Sequence, residues 1–292
     1  MGSFAKLRGA FHNPLTADAP WSAINRFLRF RIARRVCGLS IVVPYVNDTK
    51  LIVGNDISVA EFNPIYCGLP DLEYISFVLH LLTDDDLFGD IGAHVGLYSV
   101  AASGVCGGKT LSVEPVPNTA ETLRLNIAIN GLGGLVDILE IGIGAEAGEL
   151  EFSTDEGSCN HVLEDQRGCR VPVLPLDEVF ATRTPVLLKI DVEGFETNVI
   201  KGGQRLLQDV ALKAVVMEMT GLGTRYGFDE RALDSEMRRF GFNCFSYDPW
   251  SRKLNPSDPS YDWRNPIYVR DLAFVEDRLR TARRFRVLNL EI

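Results

Sequence analysis

From Leu72 to Tyr247, short runs of apolar, mostly branched residues alternate with segments of helical spacing. This alternation constrains the fold of the 292-residue chain more than any other feature. The spacing predicts helices over Leu72–Leu82, Leu97–Ala102, Asn118–Asn130, Glu196–Leu207 and Asp229–Phe240. It predicts strands over Leu87–Ile91, Thr110–Val113, Leu135–Leu139, Val186–Ile190, Ala214–Met217 and Asn243–Tyr247. Strands separated by such helices need right-handed crossovers, which produce a mostly parallel, doubly wound α/β sheet covered on both faces. Glu149–Phe152 and Arg170–Val173 break the rhythm and read as a hairpin inserted before the Val186 strand.

The chain divides into an N-terminal extension over 1–65, the alternating domain over 66–275 and a basic tail over 276–292. In the extension, residues 22–36 place Ile24, Phe27, Leu28, Ile32 and Val36 at helical spacing among arginines, and IVVPY and KLIVG read as strands joined at Asn47-Asp48. Residues 1–36 carry a charge of +6 and residues 276–292 one of +2, which leaves −17 on the body of a chain whose net charge is −9. An acidic body argues against a nucleic-acid surface, which needs clustered Lys and Arg to neutralise phosphates. No apolar run reaches the length of about 18 residues that a membrane-spanning helix needs. The six cysteines (Cys37, Cys67, Cys106, Cys159, Cys169, Cys244) show no zinc spacing and are expected to be reduced and buried, in a chain with no secretory leader and a cytoplasmic location. The helix is read as packing on the acidic body, or as resting on an anionic membrane surface.

Three segments carry chemistry. Phe88-Gly89-Asp90-Ile91-Gly92-Ala93-His94-Val95-Gly96 ends a strand in a small-residue turn that opens a helix, the position where α/β sheets bind ligands. Glu114 ends the next strand, 22 residues after Gly92, where a carboxylate can accept both hydroxyls of an adenosine ribose. These two features fit NAD as well as S-adenosylmethionine. Asp90 favours the second, because an acid there repels a pyrophosphate and suits an amino or sulfonium group. The third segment, Leu187–Glu196, delivers Asp191, Glu193 and Glu196 at the end of an apolar strand; Glu196 is read as a first-turn helix acid.

FGDIGAHVGLYS, VEPVPNTAETLRLNIAIN, GIGAEAGELEFS, PVLLKIDVEGFETNVIKGG and AVVMEM together resemble the FkbM family of S-adenosylmethionine-dependent methyltransferases over roughly residues 72–250. The resemblance implies a class I methyltransferase (Rossmann-like) fold, a seven-stranded sheet with its last strand antiparallel. It also implies methylation of a hydroxyl on a sugar, glycoside or secondary metabolite. By motif position, Asp90, Gly92, Ala93 and Gly96 would hold the methionine portion, Glu114 the ribose, and Asp191 and Glu193 the meeting point of donor and acceptor. His94 stands where the family more often has Asn, and is read as a donor contact ahead of a base. Asp191 is the first candidate for a base that takes the acceptor proton, followed by Glu193 and Glu218. His161 lies in a polar loop that is a candidate to reach over the cleft. His12 and His80 are read as structural, and no metal is assigned. Alternatives are N-methylation of an amine or amide, an NAD-dependent oxidoreductase, and a non-catalytic scaffold. The basic termini lie outside the resemblance and are candidates for shaping the acceptor site or for an interface such as that of a homodimer.

Overall fold

The computed structural model describes residues 11–37, 40–53, 67–154, 156–163, 168–258 and 265–292. After a helix over Pro20–Cys37, the strands β1 (Ile41–Pro44) and β2 (Lys50–Val53) pair antiparallel across the Asn47-Asp48 turn. Gly54 and the rest of the extension up to residue 66 lie outside the described residues.

The body is a twisted sheet of eight strands. Five are parallel: β3 (Leu87–Ile91), β4 (Lys109–Val113), β5 (Val136–Leu139), β10 (Leu187–Ile190) and β11 (Ala214–Met217). Between β5 and β10 lies a second sheet, in which β6 (Gly142–Ile143), β7 (Gly148–Phe152), β8 (Val162–Leu163) and β9 (Cys169–Leu174) take the order β6-β9-β7-β8. The expected hairpin is its β7–β9 pair, with Leu150 opposite Val171. The chain ends with β12 (Asn243–Asp248), β13 (Lys253–Pro256), β14 (Ile267–Val269), and the short pair β15 (Arg286–Val287) and β16 (Leu290–Glu291).

The large sheet runs β13-β12-β14-β11-β10-β3-β4-β5, with β14 antiparallel between β11 and β12. The resemblance implies seven strands with the last antiparallel; the sheet has eight, with β14 antiparallel to both its neighbours. The eighth is a correction: β12 turns back after Asp248 into β13, which adds an antiparallel edge. Apolar clusters cover both faces. One joins Phe77, Val78, Phe88 and Val100 on one side, and the other joins Leu188, Ile190, Val199 and Met217 on the opposite side.

Three expectations are corrected. The helix expected over Glu196–Leu207 is two, Glu196–Lys201 and Gln204–Gln208, broken at Gly202-Gly203. A Cβ at Gly202 would stand 2.1 Å from the Gly144 carbonyl oxygen, so the chain must pass there as bare backbone. Of the five apolar residues aligned on the N-terminal helix, only Ile24 and Phe27 are buried, together with Ala23 and Phe30. Among the described cysteines, Cys67 and Cys244 are buried, Cys106 and Cys169 are half-buried and Cys159 is exposed, all of them free thiols.

The basic tail folds back onto the body through Arg278, while Arg280, Arg283, Arg284 and Arg286 are exposed. Arg278, in the helix Leu272–Thr281, donates to Leu81 O at 3.0 Å and ion-pairs with the buried Asp86. Val46 bridges Val287, and Asn47 bonds Arg286 in both directions, so the extension and the C-terminus meet. His80 is structural as read: it is buried, with Nδ1 2.6 Å from the Tyr247 hydroxyl. Arg278→Met leaves the Asp86 carboxylate buried without its cation, and the expected loss is roughly 2 kcal/mol, measured by thermal unfolding. An unchanged melting temperature would refute the anchoring role.

Candidate active site

Backbone hydrogen bonds that continue the parallel ladders set the chemistry-bearing segments in one row at the carboxyl edge of the sheet. Gly92 and Ala93 donate to Val113 O, both at 2.9 Å; Asp191 donates to Ile91 O at 3.1 Å; Glu218 donates to Ile190 O at 2.8 Å; and Glu114 donates to Leu139 O at 3.1 Å. The residue after each strand end therefore faces the same cleft. Gly92, Ala93, His94, Glu114, Asp191, Glu193 and Glu218 all line it.

Under the floor of the cleft sits a charge that the sequence reading passed over. Lys189 is buried in β10, where it is the cross-strand neighbour of Asp90 on β3. Its ammonium donates to Gly92 O at 2.7 Å and lies 3.1 Å from Asp191 Oδ2 and 3.8 Å from Asp90 Oδ1. These neighbours raise its pKa against the opposing effect of burial. Asp90 is fully buried and does not line the cleft. It accepts from Ser99 Oγ at 2.5 Å, Ser99 Oγ lies 2.7 Å from Ser112 Oγ, and Asp90 Oδ1 has no hydrogen-bond partner. Asp90, expected to contact the cofactor directly, instead lies outside the cleft lining and faces Lys189. The missed signal was a lysine inside LLKI, a strand buried at every position, where a charge is costly unless paired.

Glu114 is fixed by its own loop. Oε2 accepts from His94 N at 2.9 Å and Oε1 from Val116 N at 3.0 Å, while burial pushes its pKa up to about 7. Glu196, beyond its first-turn position, accepts from Val192 N at 3.0 Å and Gly194 N at 3.3 Å, and so closes the turn that presents Asp191 and Glu193. Gly92 has φ +75°, and a Cβ there would lie 1.8 Å from the Asp191 carbonyl oxygen. Its glycine is thus required by the approach of two loops. Gly96, φ +89°, starts the Leu97–Ala101 helix against Leu123 instead of lining the cleft.

Among the described residues, six non-glycine residues adopt left-handed backbone, and three of them, Asp71, His94 and Glu193, line this cleft. Such conformations cost of order 1 kcal/mol or more each and cluster at functional sites. Asp71 carries no sequence signal; its carboxylate takes a hydrogen bond from Tyr98. Tyr98, Phe152, Asn160 and Asn265 complete the wall and were likewise not anticipated.

Asp191, Glu193 and Glu218 each bring one carboxylate oxygen within 4.8 Å of the others, a spacing compatible with a divalent cation. Without one, the crowding falls on protonation. Burial, then the Asp191 charge, pushes Glu193 up to about 7, and the same causes hold Glu218 well above the carboxylate range. His94 is pushed down to about 4 by burial, with the Lys189 ammonium adding to it, so its imidazole is neutral at pH 7. His161 does not line the cleft. Its Nδ1 lies 3.1 Å from Cys159 O and 3.0 Å from Glu156 Oε2, while Gly157 and Asn160 of the same loop reach the cleft instead.

The sequence matches the model of the methyltransferase FkbM domain over residues 90–244, just over half of the chain. It is 26% identical over 145 residues to the hexuronic acid methyltransferase AglP of Haloferax volcanii, a match covering 47% of this chain. The chain spans 58% of the length of that curated relative. A solved methyltransferase FkbM from Methylobacillus flagellatus KT superposes with a TM-score of 0.47 at 16% identity, covering 71% of this chain and 52% of the other. A precorrin-6y C5,15-methyltransferase from Geobacter metallireducens GS-15 gives 0.38 at 16% identity, with 68% and 85% covered.

Lys189→Met strands Asp90 and Asp191 without their shared cation. The expected destabilisation is about 3 kcal/mol in thermal unfolding, partly recovered by Lys189→Met combined with Asp90→Asn. Additive losses would refute the pairing.

Proposed function

The chain belongs to the FkbM methyltransferase family, and from that premise we propose that it is an S-adenosylmethionine-dependent O-methyltransferase acting on a hydroxyl of a sugar or glycosylated small molecule. The observation that carries the reading is the acidic lining of the cleft, rich in oxygen acceptors and poor in cations. Among the described residues that line it, Asp71, Glu114, Asp191, Glu193 and Glu218 stand against one cation, Lys189. That donor set fits a cationic methyl donor and opposes the pyrophosphate of a dinucleotide. The sugar acceptor is supported by the match to AglP, named for hexuronic acid.

When bound, S-adenosylmethionine supplies a methyl group on a sulfonium, electrophilic toward an oxygen placed in line with it. Glu114, its oxygens oriented by two backbone amides, is the ribose ligand. The Gly92–His94 turn and Asp191, tied together through Lys189, hold the methionine portion. His94 is neutral and serves as a hydrogen-bonding contact, since a group at about 4 is a weak base at pH 7.

We assign the base to Glu193 ahead of Asp191. Glu193 stands on strained backbone at the cleft and titrates near neutrality, the range in which a general base works best, whereas Asp191 is engaged by Lys189. Glu193 takes the hydroxyl proton as the acceptor oxygen bonds to the methyl carbon. Glu218, which holds its proton at pH 7, donates it in a hydrogen bond to Asp191 and so steadies the acids beside the acceptor.

Glu193→Gln is expected to lower kcat by about 100-fold or more with donor affinity unchanged, and to remove the acid limb of the pH–rate profile near pH 7. Full activity in this variant would return the role to Asp191. The donor itself is tested by calorimetric titration with S-adenosylhomocysteine and, separately, NAD. Micromolar binding of the first alone is expected. Protonated Glu114 cannot accept both ribose hydroxyls, so this affinity should fall by up to about tenfold per pH unit below about 7. Binding of neither compound by folded protein would overturn the proposal.

A further inference from the structure

Away from the cleft, the helix Pro20–Cys37 carries two apolar arcs where one would suffice to pack it. Ala23, Ile24, Phe27 and Phe30 are buried against the body. On the other side Trp21, Leu28, Ile32 and Val36 are 74%, 49%, 63% and 77% exposed. At 3.6 residues per turn these four fall within an arc of about 80°, so they form one outward stripe along most of the helix, interrupted only by the exposed Asn25 between Trp21 and Leu28. Trp21 extends it, packing edge-on at 5.8 Å against the exposed Phe11. Scattered single apolar residues on a surface need no explanation; an aligned row of four does.

The flanks of the stripe are basic. The helix holds five arginines and no acid, and the exposed Arg29 and Arg35 lie on opposite sides of the stripe. This is the pattern of a helix lying in the plane of a bilayer surface, with apolar side chains below the headgroups and guanidinium groups spreading to anionic lipid on either side. No helix among the described residues is long and apolar enough to cross a membrane. The same arginines disfavour a second copy of the chain as the occupant, since an isologous pairing of this face would bring like charges together.

We propose that the outer face of the Pro20–Cys37 helix docks this protein on an anionic lipid surface. The proposal does not depend on the chemistry assigned to the cleft.

Flotation of the full chain with phosphatidylcholine vesicles, with and without phosphatidylglycerol, tests it. Binding is expected only with phosphatidylglycerol and should weaken as salt is raised. Leu28→Glu combined with Ile32→Glu should lower partitioning by at least about tenfold. Arg29→Glu combined with Arg35→Glu should do the same and abolish the salt dependence. All four positions are exposed, so thermal unfolding should be unchanged in both variants. Failure to float with phosphatidylglycerol vesicles would overturn the proposal. So would a dimer, seen by sedimentation velocity, that Ile32→Glu disperses in a protein that ignores vesicles, because a second copy would then cover the stripe.

Discussion

The Lys189 ammonium is the interaction on which the arrangement of the cleft depends. An ammonium taken out of water into the middle of a parallel sheet costs several kcal/mol unless its partners are close and fixed. Here they are the Asp90 and Asp191 carboxylates and the Gly92 carbonyl, drawn from the ends of two adjacent strands. Satisfying one buried charge therefore fixes two loops relative to each other. The glycine turn is held at the height of the Asp191 loop, and Gly92 is needed because the two backbones then touch. On the other side the network runs from Asp90 through Ser99 to Ser112, which couples the floor of the cleft to the helix that the glycine turn opens.

That arrangement carries a strain that the rest of the fold sustains. Glu193 and His94 are pushed into left-handed backbone, and Asp191, Glu193 and Glu218 bring one carboxylate oxygen each within 4.8 Å of the others. Glu196 closes the Val192–Gly194 turn from below, so the strained residue is held by hydrogen bonds to its neighbours. A site built this way is preorganised: its acids repel one another in the free protein, and a bound cation relieves the repulsion. The same crowding gives neighbouring carboxylates of one chemical type different protonation at pH 7.

The β1–β2 turn and the C-terminal segment meet on the body. Side chains do the joining. Asn126 accepts from Ile52 N and donates to Val95 O, and Asn130 accepts from Lys50 N, so strand β2 is tied to the Pro117–Ile129 helix without a ladder. Arg278 fastens the last long helix to Asp86 at the entry to β3. The N-terminal helix is thereby carried on the body with its outer arc uncovered.

The alternation of branched runs and helical segments determined the sheet, because a strand buried on both faces must be apolar throughout and a crossover needs a helix's length of chain. The ends of β3, β10 and β11 were legible to within a residue on that ground. The carboxylates at those ends were legible as well, since acids directly after buried strands stand out against their surroundings. Other features were beyond a local reading. The left-handed backbone of Asp71, the break at Gly202 and the exposure of Ile32 each depend on what lies opposite in space, not on neighbours in sequence. Asp90 and His161 show the same limit. Their spacing placed them near the cleft, but burial turned Asp90 toward Lys189, and the loop turned His161 toward Glu156. The sequence by itself determined which residues end the strands. Only the tertiary structure decided which of them face the cleft and which protons they hold, because both follow from burial and from charges brought together across separate strands.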